Sequence, residues 1–438
     1  MYNIIMKRRL KKKYIFLLVL IILIGCFFVF KNNFKSSKDI KEIKIDKIDV
    51  VYKKINNEEV SLDFIKWVNS NYKDSIDKLY ELLNKKDYDK SMWHEVTGYS
   101  YLVLNDLYND KYKDMDNIKI MDTGNTISFV GDVSLADNWW IIPEYDKRGK
   151  KVLGILSEEV VKIMNDSSVM IANSEFTVSN RGTPIKGKQY TFRAKPERLN
   201  IYYEMGVDMV TLANNHVYDY GSVAFNDMLK AFKDYKIPYI GAGKNLNEAS
   251  GEYYFIVNGY KIGFINCSRA EKYRLTPGAT KNSEGIFLCY DTTNMVNKIK
   301  EVRKDSDYVI TIVHYGRENS HELEKEQISS SYEYIDAGSD VIVGHHAHTL
   351  QGVEYYKDKP IIYNLGNFIF NPLEIDTALF QIELNSDGSM KYKIIPALQK
   401  NEYTDLLTGS GKERVINDIN SWSRNAKIDK DGYIIKNT

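Results

Sequence analysis

Five short apolar runs each finish on a side chain able to hold a metal ion or move a proton, and that pattern constrains the fold more than anything else in the chain. Thr126-Ile127-Ser128-Phe129-Val130 ends on Gly131-Asp132, and Ser168-Val169-Met170-Ile171-Ala172 ends on Asn173-Ser174-Glu175. Asp208-Met209-Val210-Thr211-Leu212 ends on Ala213-Asn214-Asn215-His216, and Tyr308-Val309-Ile310-Thr311-Ile312-Val313 on His314. The last, Asp340-Val341-Ile342-Val343, opens into Gly344-His345-His346-Ala347-His348. Runs this short and β-branched, with helical patterns between several of them at 197–205 and 222–235, predict an α/β protein with a mostly parallel, buried sheet and helices outside. Polar groups are costly inside strands buried on both faces, so they gather at one edge, the carboxyl ends where open α/β sheets place ligands. Three of the seven histidines fall in the final segment, and neutral imidazole is the commonest metal ligand. A convergent metal site is the expectation.

With 438 residues and a formal net charge of +1, the chain is long enough for one large domain plus appendages and carries no general basic footprint for nucleic acid. The N-terminus is the sharpest compositional break. Lys7, Arg8, Arg9, Lys11, Lys12 and Lys13 precede an uncharged apolar run at 14–30, at the short end of what a bilayer-spanning helix needs. The positive-inside rule then predicts a cytoplasmic N-terminus and a main domain outside the cell, held by a single-pass anchor in the cell membrane. Lys31-Asn32-Asn33-Phe34 lacks the small residues of a cleavage site. Leu23-Ile24-Gly25-Cys26 resembles a lipoprotein box, but Phe27-Phe28-Val29-Phe30 continues the apolar run, so an uncleaved anchor is expected.

The domain expectation is a basic tip and anchor over 1–31, a charged tether and small helical neck over 32–115, the α/β domain over 120–400, and a loosely packed tail over 401–438. Leu62, Ile65 and Val68, then Ile76, Leu79, Leu82 and Leu83, recur at helical spacing in the neck. His94, among Trp93 and Tyr99, reads as structural. Cys267 is either a buried thiol or the partner of Cys289.

In order and spacing, the segments Val130-Gly131-Asp132, Ala172-Asn173-Ser174-Glu175, Asn214-Asn215-His216-Val217-Tyr218-Asp219, Val313-His314-Tyr315-Gly316-Arg317-Glu318, Gly344-His345-His346-Ala347-His348 and Asn364-Leu365-Gly366-Asn367-Phe368 resemble the CapA-type poly-γ-glutamate capsule biosynthesis proteins. These are a branch of the calcineurin-like metallophosphoesterase superfamily, and the resemblance covers about 126–396. It implies a layered α-β-β-α sandwich behind an N-terminal transmembrane helix. It also implies that Asp132, Glu175, Asn215, His314, His346 and His348 are metal ligands, with Glu175 bridging and His216 facing the scissile group. One departure matters: where the superfamily has a histidine two residues after its first aspartate, this chain has Ser134. Ligand count then leaves one position with Asp132, Glu175 and His348, and a fuller one with Glu175, Asn215, His314 and His346. Oxygen ligands mixed with imidazole suit one or two ions of manganese, iron or zinc better than calcium.

Other candidates carry two readings. Asp219 either orients His216 or caps the helix that follows. Arg193 and Lys195, in Tyr190-Thr191-Phe192-Arg193-Ala194-Lys195-Pro196, either clamp an anionic substrate or serve the surface. Arg317 and Glu318 lie close behind His314 or merely pair at the surface; Asn367 reads as a turn residue, His321 as exposed and idle. His345, opposite His346 in an extended tip, is the least suited to ligation of its cluster.

The functional expectation is an extracytoplasmic, metal-dependent, phosphoesterase-like hydrolase of capsule or cell-envelope polymer metabolism, acting on an anionic polymer or phosphoester beside membrane partners of a polymer synthase and export complex. No phosphate-gripping glycine loop followed by Lys and Ser/Thr is present, so ATP-driven synthesis would fall to a partner. The alternative is a non-catalytic scaffold or polymer-binding component of that complex.

Overall fold

The computed structural model describes residues 38–121, 123–270 and 275–437, and these fall into two compact units that divide at Tyr88 and Asp89. The first contains helices Lys38–Ile55, Leu62–Asn71 and Ser75–Leu83. Their apolar positions turn inward at helical spacing, burying Val51, Ile55, Phe64, Ile65, Val68, Ile76 and Leu79. Ser61 starts the second helix by accepting a hydrogen bond from the Phe64 N–H at 3.1 Å. Part of the stretch that reads as a charged tether is therefore helical.

The membrane expectation is corrected here. No helix among the described residues is long and apolar enough to cross a membrane, so a single-pass anchor with an extracellular main domain is unsupported. The longest described helix, Lys38–Ile55, has 18 residues, but charges at Lys47, Asp49, Lys53 and Lys54 make it too polar for hydrocarbon. The apolar run at 14–30, with Cys26, lies outside the described residues.

The second unit opens with helices Met92–Thr97 and Tyr101–Tyr108. His94 is buried there, with Nε2 2.7 Å from the Asn258 carbonyl and its ring stacked on Tyr260. The main strands are β1 (Ile118–Ile120), β2 (Thr126–Val133), β3 (Val169–Ser174), β4 (Met209–Thr211), β5 (Tyr239–Ile240), β6 (Tyr253–Val257), β7 (Tyr260–Ser268), β8 (Tyr308–His314), β9 (Val341–His345), β10 (Val353–Tyr356), β11 (Lys359–Ile362), β12 (Asn367–Ile369), β13 (Ile375–Leu384), β14 (Met390–Lys400) and β15 (Tyr403–Leu406).

Strand patterning alone predicts one sheet; the structure forms two. One runs β15-β14-β13-β2-β3-β4-β5, with β12 also paired to β2, and the other β1-β6-β7-β8-β9-β11-β10. In the first, β2, β3, β4 and β5 are parallel, while β13, β14 and β15 add antiparallel. In the second, β7, β8, β9 and β11 are parallel.

Alternation along the strands builds the layers. Val169 and Ile171 of β3, with Ile310 and Ile312 of β8 and Val341 and Val343 of β9, share one core between the sheets. The intervening Met170 and Ala172 face helix residues Met164, Phe225 and Phe232. On the other sheet, Val309, Val313 and Ile342 face Met295, Ile299 and Tyr334 from helices Thr293–Arg303 and Lys325–Ala337. The layer order is thus helix, sheet, sheet, helix.

The C-terminal stretch, read as a loose tail, instead forms helix Gly409–Trp422, whose Val415, Ile416 and Ile419 join the core between the sheets. Cys267 on β7 and Cys289 form a disulfide with Cα atoms 5.9 Å apart, which settles the choice between thiol and bridge.

Candidate metal centre

Parallel strands of both sheets deliver their carboxyl ends to one edge. Register places Asp132 of β2 beside Asn173 of β3 and Asn367 of β12, and His314 of β8 beside His345 of β9. Gly131 permits this closeness, because a Cβ there would lie 2.0 Å from the Gly366 carbonyl oxygen, which accepts the Asp132 N–H at 2.9 Å.

Asn173 orders the acidic side. Its Nδ2 donates to Asp132 Oδ1 at 2.8 Å and to Glu175 Oε2 at 3.2 Å. Asp132 also meets His345 Nδ1 at 3.2 Å, His348 Nδ1 at 3.3 Å and the His346 N–H at 3.2 Å. Glu175 Oε1 is different. It is buried without any hydrogen-bond partner, yet His314 Nε2, His348 Nε2 and His216 Nε2 stand around it at 3.6, 3.8 and 4.0 Å.

The imidazole side is equally compact. His314 Nε2 lies 2.7 Å from Asn215 Oδ1 and 3.1 Å from His346 Nδ1, and His348 Nδ1 is 2.7 Å from Asn367 Oδ1. His346 and His348 adopt positive φ, 93° and 55°, a left-handed backbone that costs energy for non-glycine residues and clusters at functional sites. Two groups have ligand atoms close enough to share an ion: Glu175, His346 and His348, and Asp132, Glu175 and His314. Glu175 belongs to both.

His216 sits at the rim of the cluster. Its Nδ1 faces Asp219 Oδ2 at 2.7 Å, its ring packs on Phe192, and Asp219 accepts the Phe192 N–H at 2.7 Å. Arg193 lies elsewhere: its guanidinium stacks over Tyr220 at 4.2 Å and donates to the carbonyls of Arg181 and Gly182 at 3.2 and 3.4 Å. Lys195 is exposed, and its N–H donates to Asp137 Oδ2 at 2.7 Å. None of these contacts is with the carboxylate–imidazole cluster. Arg317 pairs with Ser320 and Glu322. His321, exposed but not idle, bonds the Leu350 carbonyl and stacks on Trp422.

Electrostatics separate the two acids. Burial pushes the Asp132 carboxyl up, but the hydrogen bonds and charges of His345 and His348 outweigh it and hold the group well below 3.8. Burial, reinforced by the Asp132 charge, holds Glu175 well above 4.5. Burial and the neighbouring His348 lower His346 to about 3; burial and His346 likewise keep His314 well below 6.5. Burial works to lower His348, yet the hydrogen bond and charge of Asp132 leave it raised. His216 is lowered, chiefly by burial.

A sequence model of the family described as "Bacterial capsule synthesis protein PGA_cap" matches residues 126–372. The chain belongs to the PGA_cap family. Among relatives, the "Capsule biosynthesis protein CapA" of Bacillus anthracis is 30% identical over 268 residues, 57% of this chain and 64% of that protein. The "PGA biosynthesis protein CapA" of Bacillus subtilis (strain 168) is 28% identical over 274 residues, 61% of this chain and 70% of that one. The matched region thus spans less than two thirds of the B. anthracis relative. Among solved structures, a putative 5'-nucleotidase from Staphylococcus aureus in complex with alpha-ketoglutarate gives a TM-score of 0.42 at 15% identity, covering 68% of this chain and 58% of that one.

All five strand-end segments lie within the region matched to the PGA_cap family. Three residues in or beside that frame were not given their place by the sequence. Asn173 was visible beside Glu175 but had no assigned role. His345 faces Asp132 rather than pointing away, because the left-handed turn at His346 breaks simple alternation. Lys188, in a polar loop with no periodicity, offered no signal at all, yet its Nζ lies 2.8 Å from Asp219 Oδ1.

Proposed function

We propose that this chain is a metal-dependent phosphoester hydrolase that serves synthesis of a capsule or envelope polymer of the poly-γ-glutamate type, working beside the polymer synthesis machinery. The observation that carries the reading is Glu175 Oε1, a buried acceptor with no hydrogen bond and three imidazole nitrogens around it. Buried polar atoms are normally satisfied, and this donor set of carboxylate, amide and imidazole fits manganese, iron or zinc. Asp132, Glu175, Asn215, His314, His346 and His348 would hold one or two such ions. When bound, a divalent cation supplies Lewis acidity at a phosphoryl oxygen and an acidified water as nucleophile.

The chain's own residues supply orientation and proton movement. Asp219 fixes the His216 proton on Nδ1, which leaves the Nε2 lone pair turned toward Glu175. Because burial keeps His216 below 6.5, the ring is neutral at physiological pH, and Nε2 can take up a proton and pass it to a leaving oxygen. Asn173 Nδ2 holds the Asp132 carboxylate by a hydrogen bond, and His345 Nδ1 stands 3.2 Å from the same oxygen without one.

The names of the relatives supply the polymer context, and the centre supplies the chemistry. The test is hydrolysis of bis(p-nitrophenyl) phosphate by the full-length chain with Mn2+. Metal-dependent turnover is expected, with His216→Ala keeping its metal but losing about 100-fold or more in kcat. Tight metal without turnover on any phosphoester would remove the hydrolase and favour a scaffold. Ser134 favours that second reading, since its buried hydroxyl has no partner and supplies no nitrogen where the superfamily has a histidine.

A further inference from the structure

Lys188 lies in the loop between the two-residue strands Thr177–Val178 and Arg193–Ala194. A lysine in such a polar stretch would ordinarily reach into solvent, and burying its ammonium is unfavourable unless well-placed partners compensate. Its side chain is nevertheless only 8% exposed, and Nζ lies 2.8 Å from Asp219 Oδ1. The same Nζ donates to the backbone carbonyl of Asn215.

Those two acceptors belong to the two halves of the centre. The Asn215 side chain lies 2.7 Å from His314 Nε2, and Asp219 Oδ2 lies 2.7 Å from His216 Nδ1. The loop also ties residues 215–219 down by its backbone: the Ile185 N–H donates to the Asp219 carbonyl at 2.9 Å, and the Phe192 N–H to Asp219 Oδ2 at 2.7 Å. Lys188 is thus the one side chain joining the His216–Asp219 pair to the backbone of a candidate ligand among the contacts described.

We propose that Lys188 is a positioning residue for proton transfer by His216. Its ammonium clamps the Asp219 carboxylate against the Asn215 carbonyl, so that His216 keeps its proton on Nδ1 and its Nε2 toward Glu175. This rests on the hydrolytic reading given above. A residue that merely staples the loop would leave the His216 tautomer alone.

The experiment compares full-length wild type, Lys188→Met and Lys188→Arg, with Mn2+ and bis(p-nitrophenyl) phosphate as probes. Lys188→Met should keep its metal, lose about 10- to 100-fold in kcat and change KM by less than about twofold. Lys188→Arg, still cationic, should recover part of the loss. In an Asp219→Asn background, Lys188→Met should cost less than about twofold more, because residues acting as a unit are not additive. Nitrogen-15 NMR of histidine-labelled, metal-stripped protein adds a readout independent of turnover. Wild type should show His216 locked with its proton on Nδ1, and Lys188→Met should show averaging between tautomers. If Lys188→Met does not fold, Lys188→Gln, which can still donate to Asn215, carries the same comparison. A rise in KM alone, a fully additive double variant, or a tautomer indifferent to Lys188 would overturn the positioning role. A wild type without turnover but with a Lys188-dependent tautomer would sink the hydrolase, and with it the proton-transfer role, and leave only the hold of Lys188 on the His216 tautomer.

Discussion

Glu175 Oε1 lies 3.6 Å from His314 Nε2, too far for a hydrogen bond, so the carboxylate oxygen stays buried beside the imidazole without being satisfied by it. The separation has a simple geometric reading. Two donors each about 2.1 Å from a shared cation stand about 3.0–3.4 Å apart at octahedral or tetrahedral angles. His348 Nε2, at 3.8 Å from the same oxygen, is only slightly wider. A modest inward movement of these side chains would complete such a shell.

Glu175 is the only residue common to both ligand groups, so its removal should be the most damaging. Glu175→Ala should strip the full-length chain of all tightly held Mn2+. Asp132→Asn and His314→Ala should deplete one position, and His346→Ala and His348→Ala the other, so the paired double variants should lose little beyond their singles. Elemental analysis after dialysis against limiting Mn2+ measures this. Full metal content in Glu175→Ala would contradict the centre itself.

The acids make opposite contributions to stability in metal-stripped protein. The folded Glu175 pKa is raised above 4.5, so its stabilising share is fully present below about that pH and is lost as pH rises through the folded value. Asp132 is depressed below 3.8, so its share is present above that value and is lost as pH falls through the folded one. Glu175→Gln removes the first effect and leaves the second. Under chelation the variant should therefore melt higher than wild type near about pH 8, with the advantage shrinking toward about pH 4. Thermal melts across that range decide it, and a difference that ignores pH would refute the assignment.

How much was readable in the sequence follows from where each group sits. Asp132, Glu175, Asn215 and His314 stand at or just past strand ends, so apolar patterning and local order exposed them together. The grouping of ligands was hidden, because it depends on loop dihedrals such as φ 93° at His346 and 55° at His348. Strand patterning did not divide the marked strands between two sheets, and the antiparallel extension of the first sheet by β13, β14 and β15 was hidden too, since those strands carry no catalytic markers. Arg193 looked like an anion clamp by charge alone. Its place over Tyr220, and that of Lys188 beside Asp219, are decided by how one loop folds back on the next.

The Cys267–Cys289 bridge closes a sequence separation of 22 between two fully buried residues. Restricting the unfolded chain over such a loop is worth about 3 kcal/mol. Reduction of wild type, or Cys289→Ala, should cost about that much in urea denaturation, and reductant should have no further effect on the variant. Equal midpoints with and without reductant in wild type would show that the bridge contributes nothing.

His345 supports the centre from behind rather than as a ligand. Its Nδ1 lies 3.2 Å from Asp132 Oδ1, while Asn173 donates to the same oxygen at 2.8 Å. Removing the imidazole, which packs against Asp132 without a hydrogen bond, would leave open space beside the buried carboxylate and free it to rotate away from the shared position. Partners of this kind typically set metal affinity by about 10- to 100-fold without changing the number of ions held. His345→Ala should therefore weaken Mn2+ binding by about that factor in calorimetric titration, with stoichiometry unchanged. His345→Gln, whose amide can donate to Asp132, should recover part of the loss. A lost ion in His345→Ala would instead make His345 a ligand in its own right, and wild-type affinity would show that Asn173 alone is enough to hold Asp132.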